Sequence, residues 1–256
     1  MLFRPVSGPE IEVIYTLIAQ SPEPLSRQAL YQACFPTYLD GRAVSSQSVD
    51  DALAFLVSAF LIEEKSGFKL IQPKKTRAPF RLALISQLQK LASGAVEPVN
   101  KIDALYFVLL DQLFVKPDQL YISDVHAEAN KLRLVVEMGG ISQEKIRSWK
   151  RVMAFLGVGQ RIAQGFQCVY TPKLLQQILS VWSVREGFIQ EFLEEHFVHY
   201  LPFQTQAGDL AQAVCHSLDY LKQQQIVQMR AYQDSSSKPY FGERRWRYIT
   251  YRKGDL

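Results

Sequence analysis

No stretch of this 256-residue chain is apolar for long enough to cross a bilayer, which takes about 18 consecutive residues. The longest candidate, residues 53–62, falls far short, and Pro5, Gly8 and Pro9 interrupt the start before a signal-peptide core could form. The expectation is a cytoplasmic protein with no membrane partner. Cysteine is equally scarce. Cys34, Cys168 and Cys215 are far apart and form no CxxC pair, which gives no support to a disulfide framework or a zinc ribbon. They read as small buried hydrophobes. The fingerprints GxxxxGK[ST], GxGxxG and GxSxG are all missing. Glu195, His196, His199, Cys215 and His216 do not form the convergent set of four ligands that zinc requires. Pro117-Asp118 with Glu128 and Lys131 lacks the acid-to-lysine spacing of a metal-dependent nuclease. These absences lead to the expectation of a non-enzymatic protein with no cofactor and no metal.

What is present is a pattern that occurs twice. SSQSVDDALAFLVSAFLIEEKSGFKLIQP fills residues 45–73, and SQEKIRSWKRVMAFLGVGQRIAQGFQCVYTP fills residues 142–172. Each starts with Ser-Gln at a helix start, continues with apolar residues at helical spacing, and ends in two short strands around a Gly-Phe turn. A helix running into a small hairpin is the second half of a winged helix-turn-helix. Upstream of each copy lie further helical stretches. In the first unit Ile11, Ile14, Tyr15 and Ile18 mark one helix face, Ser21-Pro22-Glu23-Pro24 ends that helix, and Ser26 caps the next. In the second, Asn100 caps a helix carrying Ile102, Leu105, Tyr106 and Leu109, and Ser123 or Asp124 caps one running to about residue 134.

The fold class that follows is mainly α with small β-hairpins, an α+β chain of tandem winged helix-turn-helix domains. Residues 8–72 form the first domain, 73–98 a basic connector and helix, 99–172 the second domain, and 173–256 a C-terminal winged-helix-like domain. In that last stretch helices are expected at 174–182, 186–200 and 209–225. Strands 226–232 and 246–251 then pair around a polar loop, although a middle helix is hard to identify.

Net charge is only +4, but its placement is uneven. Residues 230–256 carry a net +4 and residues 73–81 another +4, leaving a mildly acidic body. Concentrated positive charge is the footprint expected of a phosphate-binding surface. Within residues 142–156, Ile146, Trp149, Met153 and Leu156 share one arc. The opposite arc holds Glu144, Arg147, Ser148 and Arg151, with Gln143 and Lys150 at its edges. Arg can pair bidentately with guanine or clamp phosphate, and Gln can pair with adenine. The plainer reading is a solvated face with an Arg–Glu pair. Arg161 in the following hairpin joins the candidate set. The equivalent helix of the first unit turns Gln47, Asp51, Ala54 and Ser58 outward and is followed by Glu63 and Glu64, a surface that would repel phosphate. In the C-terminal segment, Lys238, Arg244, Arg245, Arg247 and Arg252 interleave with aromatic residues. There Arg245, Arg247 and Ile249 share one strand face, either as a basic wing or as an edge strand protected by charge.

The segments ALAFLVSAFLIEEKSGFKLI and VMAFLGVGQRIAQGFQCVY make the chain similar to prokaryotic tandem winged-helix proteins. That resemblance implies one of two roles. The first is a DNA-binding accessory or regulatory protein of a defence, DNA-modification or mobile-element cluster, including those that install 7-deazapurines, with double-stranded DNA as partner. The second is a protein-interaction scaffold such as a dimeric accessory subunit of an SMC-type complex, with a protein partner or homodimer formed through the acidic first unit.

Overall fold

The computed structural model describes residues 1–34, 46–71, 78–231 and 246–252. Helices dominate, and the strands form small antiparallel sheets. The first unit contains α1 (Gly8–Gln20), α2 (Arg27–Cys34), α3 (Gln47–Ser58), β1 (Ile62–Glu64) and β2 (Phe68–Leu70). Ile11, Ile14, Tyr15 and Ile18 are the buried stripe of α1, as their spacing predicts. A single antiparallel bridge joins Leu25 to Phe68, so β2 lies between Leu25 and β1.

In the second unit α4 (Phe80–Ala92) precedes a continuous helical stretch. It consists of a 3-10 turn (Lys101–Ala104), α5 (Leu105–Leu110) and a π turn (Asp111–Val115). Then come β3 (Tyr121–Ile122), α6 (Val125–Ala129), α7 (Arg133–Glu137), α8 (Gln143–Leu156), β4 (Gln160–Ile162) and β5 (Gly165–Gln167), with sheet order β3-β5-β4. The third unit runs α9 (Pro172–Ser180), β6 (Glu186–Phe188), α10 (Ile189–Glu191) with a π turn (Phe192–His196) and a 3-10 turn (Phe197–His199), α11 (Gln212–Gln223), β7 (Val227–Arg230) and β8 (Tyr248–Tyr251). Its sheet order is β6-β8-β7. All three units therefore share one arrangement. A helix leads to a strand or bridge, further helix follows, and the second strand of the closing hairpin takes the central position.

Several sequence expectations need correction. The helix expected over 186–200 starts three residues later, because Glu186–Phe188 pairs with β8 as a strand. This leaves the missing middle helix of the third unit at 189–199. The helix expected from Asp124 to about residue 134 is two helices. The Asn130 side chain donates to the carbonyls of His126 and Ile141 and accepts from the Ile141 N–H at 2.9 Å, which diverts the chain out of a continuous helix. β8 is central, not an edge strand. Arg247 shares the parity of buried Ile249 and Tyr251, while Lys238, Arg244 and Arg245 of the same expected basic segment lie outside the described residues. Of the cysteines only Cys168 is fully buried; Cys34 and Cys215 are half-buried. The connector helix α4 belongs to the core, with Leu82, Leu84, Ile85 and Leu88 completely buried. Of the basic residues around it, Lys74, Lys75 and Arg77 lie outside the described residues, and Arg81 covers the Phe155 ring at 4.2 Å.

One hydrophobic core runs through the three units, and the first six residues help to join them. Leu2, Phe3 and Val6 are buried, and the Leu2 N–H donates to the Asp103 carboxylate at 2.6 Å. Arg4 pairs with Asp51 of α3 at 2.6 Å, while its carbonyl accepts the Ser148 hydroxyl of α8. Asp51, Ser58 and Ser148, all expected on outward arcs, are buried by this N-terminal strap or its surroundings. At the seam, α1 approaches α8 so closely that a Cβ on Gly8 would sit 1.9 Å from Phe155 Cγ. Gly8→Ala is expected to lower stability by about 1–2 kcal/mol, since overpacking outweighs the gain in helix propensity. The checking measurement is the urea midpoint; an unchanged or higher midpoint would show that this seam yields freely.

Candidate nucleic-acid interface

The residues that assemble the site belong chiefly to α8, whose boundaries follow from its ends. The Ser142 hydroxyl accepts the Lys145 N–H at 3.4 Å, and Gly157 closes the helix at φ +81°, where a Cβ would be strained. Ile146, Trp149, Val152, Met153 and Leu156 anchor the inward face. Trp149 is completely buried, donates from Nε1 to the Tyr106 carbonyl at 2.7 Å, and packs its ring against Phe114 and Phe166. This anchoring fixes which side of α8 meets solvent.

That side forms one wall of a groove of about 1010 Å³. Gln143, Arg147, Lys150, Arg151 and Arg161, the candidates from the second unit, all line it. Arg161 arrives through strand register. It lies opposite Phe166, which lies opposite Ile122, so the three share a sheet face. Phe166 and Ile122 are buried on that face, and Arg161 extends it into the open beside α8. The hairpin wall is short because Ile162 and Gly165 are joined by a two-residue turn. The Lys150 ammonium donates to the Gln164 carbonyl of this turn at 2.5 Å, holding the wall against α8.

Five cations, Lys145, Arg147, Lys150, Arg151 and Arg161, gather on this one groove. Several cations elsewhere are matched: Arg27 with Asp50 and Glu64, Lys65 and Lys69 with Glu63, Lys131 with Glu128, Arg133 with Glu137. Arg147, Arg151 and Arg161 are exposed, and among the described residues they make no ion pair and no side-chain hydrogen bond. The Arg–Glu pairing that would have made this an ordinary solvated face is therefore missing. Burial, aided by the charges of Arg161 and Arg147, pushes the Lys150 ammonium below the usual lysine range. An anion in the groove would relieve that repulsion, and the N-terminus of α8 adds its partial positive charge to the same wall.

The structure also brings in residues that the sequence did not mark. Lys145 lines the groove, as do Met1, Phe3 and Pro5 of the strap and Ser123, Asp124 and His126 at the start of α6. Nothing in the opening residues signalled that they would fold back. Asp124 had been recognised only as a helix cap, a role it fulfils by accepting the Ala127 N–H at 3.0 Å.

The corresponding helices of the other units lack this character. On α3, Asp51 lies under the strap, and Asp50 accepts from Arg27 and from the Tyr31 hydroxyl. On α11 the exposed residues include Gln212, His216, Tyr220 and Gln223, and Lys222 sits over the Trp246 ring at 4.8 Å. Of the C-terminal candidates, Lys238, Arg244 and Arg245 lie outside the described residues. Arg247 and exposed Arg252 do not line the groove. Among the described residues no group of three or more His, Cys, Asp or Glu side chains converges as a metal site would require, and no helix is long and apolar enough to cross a membrane. Comparison with protein-family models, curated proteins and solved structures returned no match to this chain.

Proposed function

We propose that the chain is a non-enzymatic protein that binds double-stranded DNA through its second unit, within a tandem winged helix-turn-helix architecture. The observation that carries this reading is the groove that gathers Arg147, Arg151 and Arg161, none of them paired with a carboxylate among the described residues, beside Lys145 and Lys150. Three features support the architecture: helix order, the strand order with the last strand central, and a short hairpin beside the exposed face of α8. A helix with a flanking hairpin suits a duplex, with the helix in the major groove and the hairpin along the backbone. The scarcity of exposed aromatic rings in the groove, where Phe3 is buried, disfavours single-strand stacking. The role suggested by the resemblance is accessory or regulatory, in a prokaryotic defence, DNA-modification or mobile-element system.

The test is the affinity for a labelled duplex of about 30 base pairs as salt is raised. A log–log slope corresponding to about four phosphate contacts is expected, since five cations line the groove and Arg147 lies where base edges are reached. Absence of binding at low salt would overturn the reading. A protein-interaction scaffold is then the alternative. It draws on the first unit, whose α3 carries Asp51 under the strap and Asp50 paired with Arg27 and so offers phosphate no cationic face. A monomer in solution that recruits no partner would count against that alternative.

A further inference from the structure

The cations of the groove account for attraction to a phosphate backbone, but one exposed side chain on the same face works against it. Glu144 lies in the first turn of α8, lines the groove, and makes no ion pair or side-chain hydrogen bond among the described residues. The other carboxylate of the groove, Asp124, is engaged in capping α6. Arg147, three residues further along α8, does not neutralise Glu144. A surface that only followed phosphates would bind more tightly without this charge, because a carboxylate close to phosphate is repelled.

A carboxylate is useful where the ligand presents a donor. In the major groove the donors are the exocyclic amino groups, N4 of cytosine and N6 of adenine, and Asp or Glu accepts from cytosine N4. The residues of α8 are ordered to suit this. Gln143, Glu144 and Arg147 lie in its N-terminal half, the part that reaches base edges in helix-turn-helix docking. Arg151 follows one turn later, Lys150 holds the hairpin turn, and Arg161 stands on the hairpin beside them, where backbone contacts are made.

Resting on the DNA-binding reading above, we infer that the protein reads sequence: Glu144 selects a base pair presenting a cytosine amino group, flanked by bases read by Gln143 and Arg147, while Arg151 and Arg161 hold the backbone. Glu144 thereby acts as a specificity residue. It admits an amino donor and rejects both carbonyl acceptors and a simple phosphate track.

The experiment is selection of bound duplexes from a library with about 20 randomised base pairs, sequenced for the full-length protein and for Glu144→Ala and Glu144→Gln, with direct affinities for the enriched and for random duplexes. Wild type is expected to enrich a short motif containing a C·G pair. Glu144→Ala should lose about 10-fold of the discrimination at that one position and bind random duplex more tightly than wild type. Glu144→Gln should shift the preference there instead of erasing it. Melting temperatures separate these effects from a helix-end role, which would lower stability in both variants without changing the motif. A motif unaltered by either variant would overturn the inference. So would wild-type binding with no enriched motif, while leaving the DNA-binding reading intact. Failure of wild type to bind the library at low salt would bring down the DNA-binding reading itself, and the inference with it.

Discussion

Replacing Arg147 and Arg151 together by alanine is expected to weaken binding to a duplex of about 30 base pairs by roughly 100-fold and to flatten the salt dependence by about one to two counterions. The fold should be unaffected. Both side chains are exposed, neither makes an ion pair among the described residues, and alanine is a good helix former. Arg147 is the larger contributor on this reading. It lies nearer the start of α8, and a bidentate Arg–guanine pair discriminates by about 1–3 kcal/mol. Two measurements settle the matter: fluorescence anisotropy across salt concentrations, and a thermal melt of the double variant. Equal affinity for wild type and double variant, with equal melting temperatures, would remove the groove from consideration. A matching loss in a variant of the first unit, such as Lys69→Ala, would point to non-specific charge attraction in place of a localised interface. Lys69 serves well as the control because it is paired with Glu63 on a different sheet.

The second large effect concerns stability. Trp149→Ala should destabilise the protein by about 4 kcal/mol or more, near the upper end for truncating a buried aromatic. The ring has no solvent exposure, and its centroid lies 5.2 Å from Phe166 and 6.3 Å from Phe114. Its Nε1 donor satisfies the Tyr106 carbonyl, which would lose a partner in a buried setting. The same residue joins α8 to α5 and to the hairpin, so its loss should disorder the groove wall and abolish DNA binding along with the fold. Trp149→Phe, which keeps most of the packing but not the donor, should recover part of the stability. A urea titration distinguishes the outcomes. A loss below about 1 kcal/mol for the alanine variant would mean that the core tolerates the cavity and that α8 is held by other contacts.

Much of this architecture is legible in local pattern. Ser142 and Gly157 mark the ends of α8 through capping chemistry that depends only on neighbours. The spacing of Ile146, Trp149, Met153 and Leu156 selects its buried face. Gln143, Arg147, Lys150 and Arg151 then had to emerge together on the other side, and the structure places them on one groove with Arg161. The reading of α3 illustrates the limit. Helical spacing predicts Val49, Leu53, Leu56 and Phe60 inward; the first three are buried, whereas Phe60 lies beyond the helix end and is half-buried. Asp51 and Ser58 are buried too, although expected at solvent, since a polar residue carries no local sign of a distant partner. Arg4, 47 residues earlier in the chain, is the partner of Asp51, and the Met1 ammonium donates to Ser58. The strand at Glu186–Phe188 was hidden in the same way, since its partner β8 lies 60 or more residues downstream and three residues are too few to show an alternating pattern.

The sequence by itself determined the helices with strong apolar stripes, their caps, the hairpin turns and the cationic character of one face of α8. All of these are set by interactions within a few residues along the chain. Only the tertiary structure decided that the opening residues strap α3 to α8, that Arg161 on the hairpin lines one groove with Lys150 of α8, that β8 is central, and that three arginines of that groove have no carboxylate partner among the described residues. Those outcomes depend on contacts between segments far apart in sequence, where burial of the common core, and no local preference, selects the neighbour.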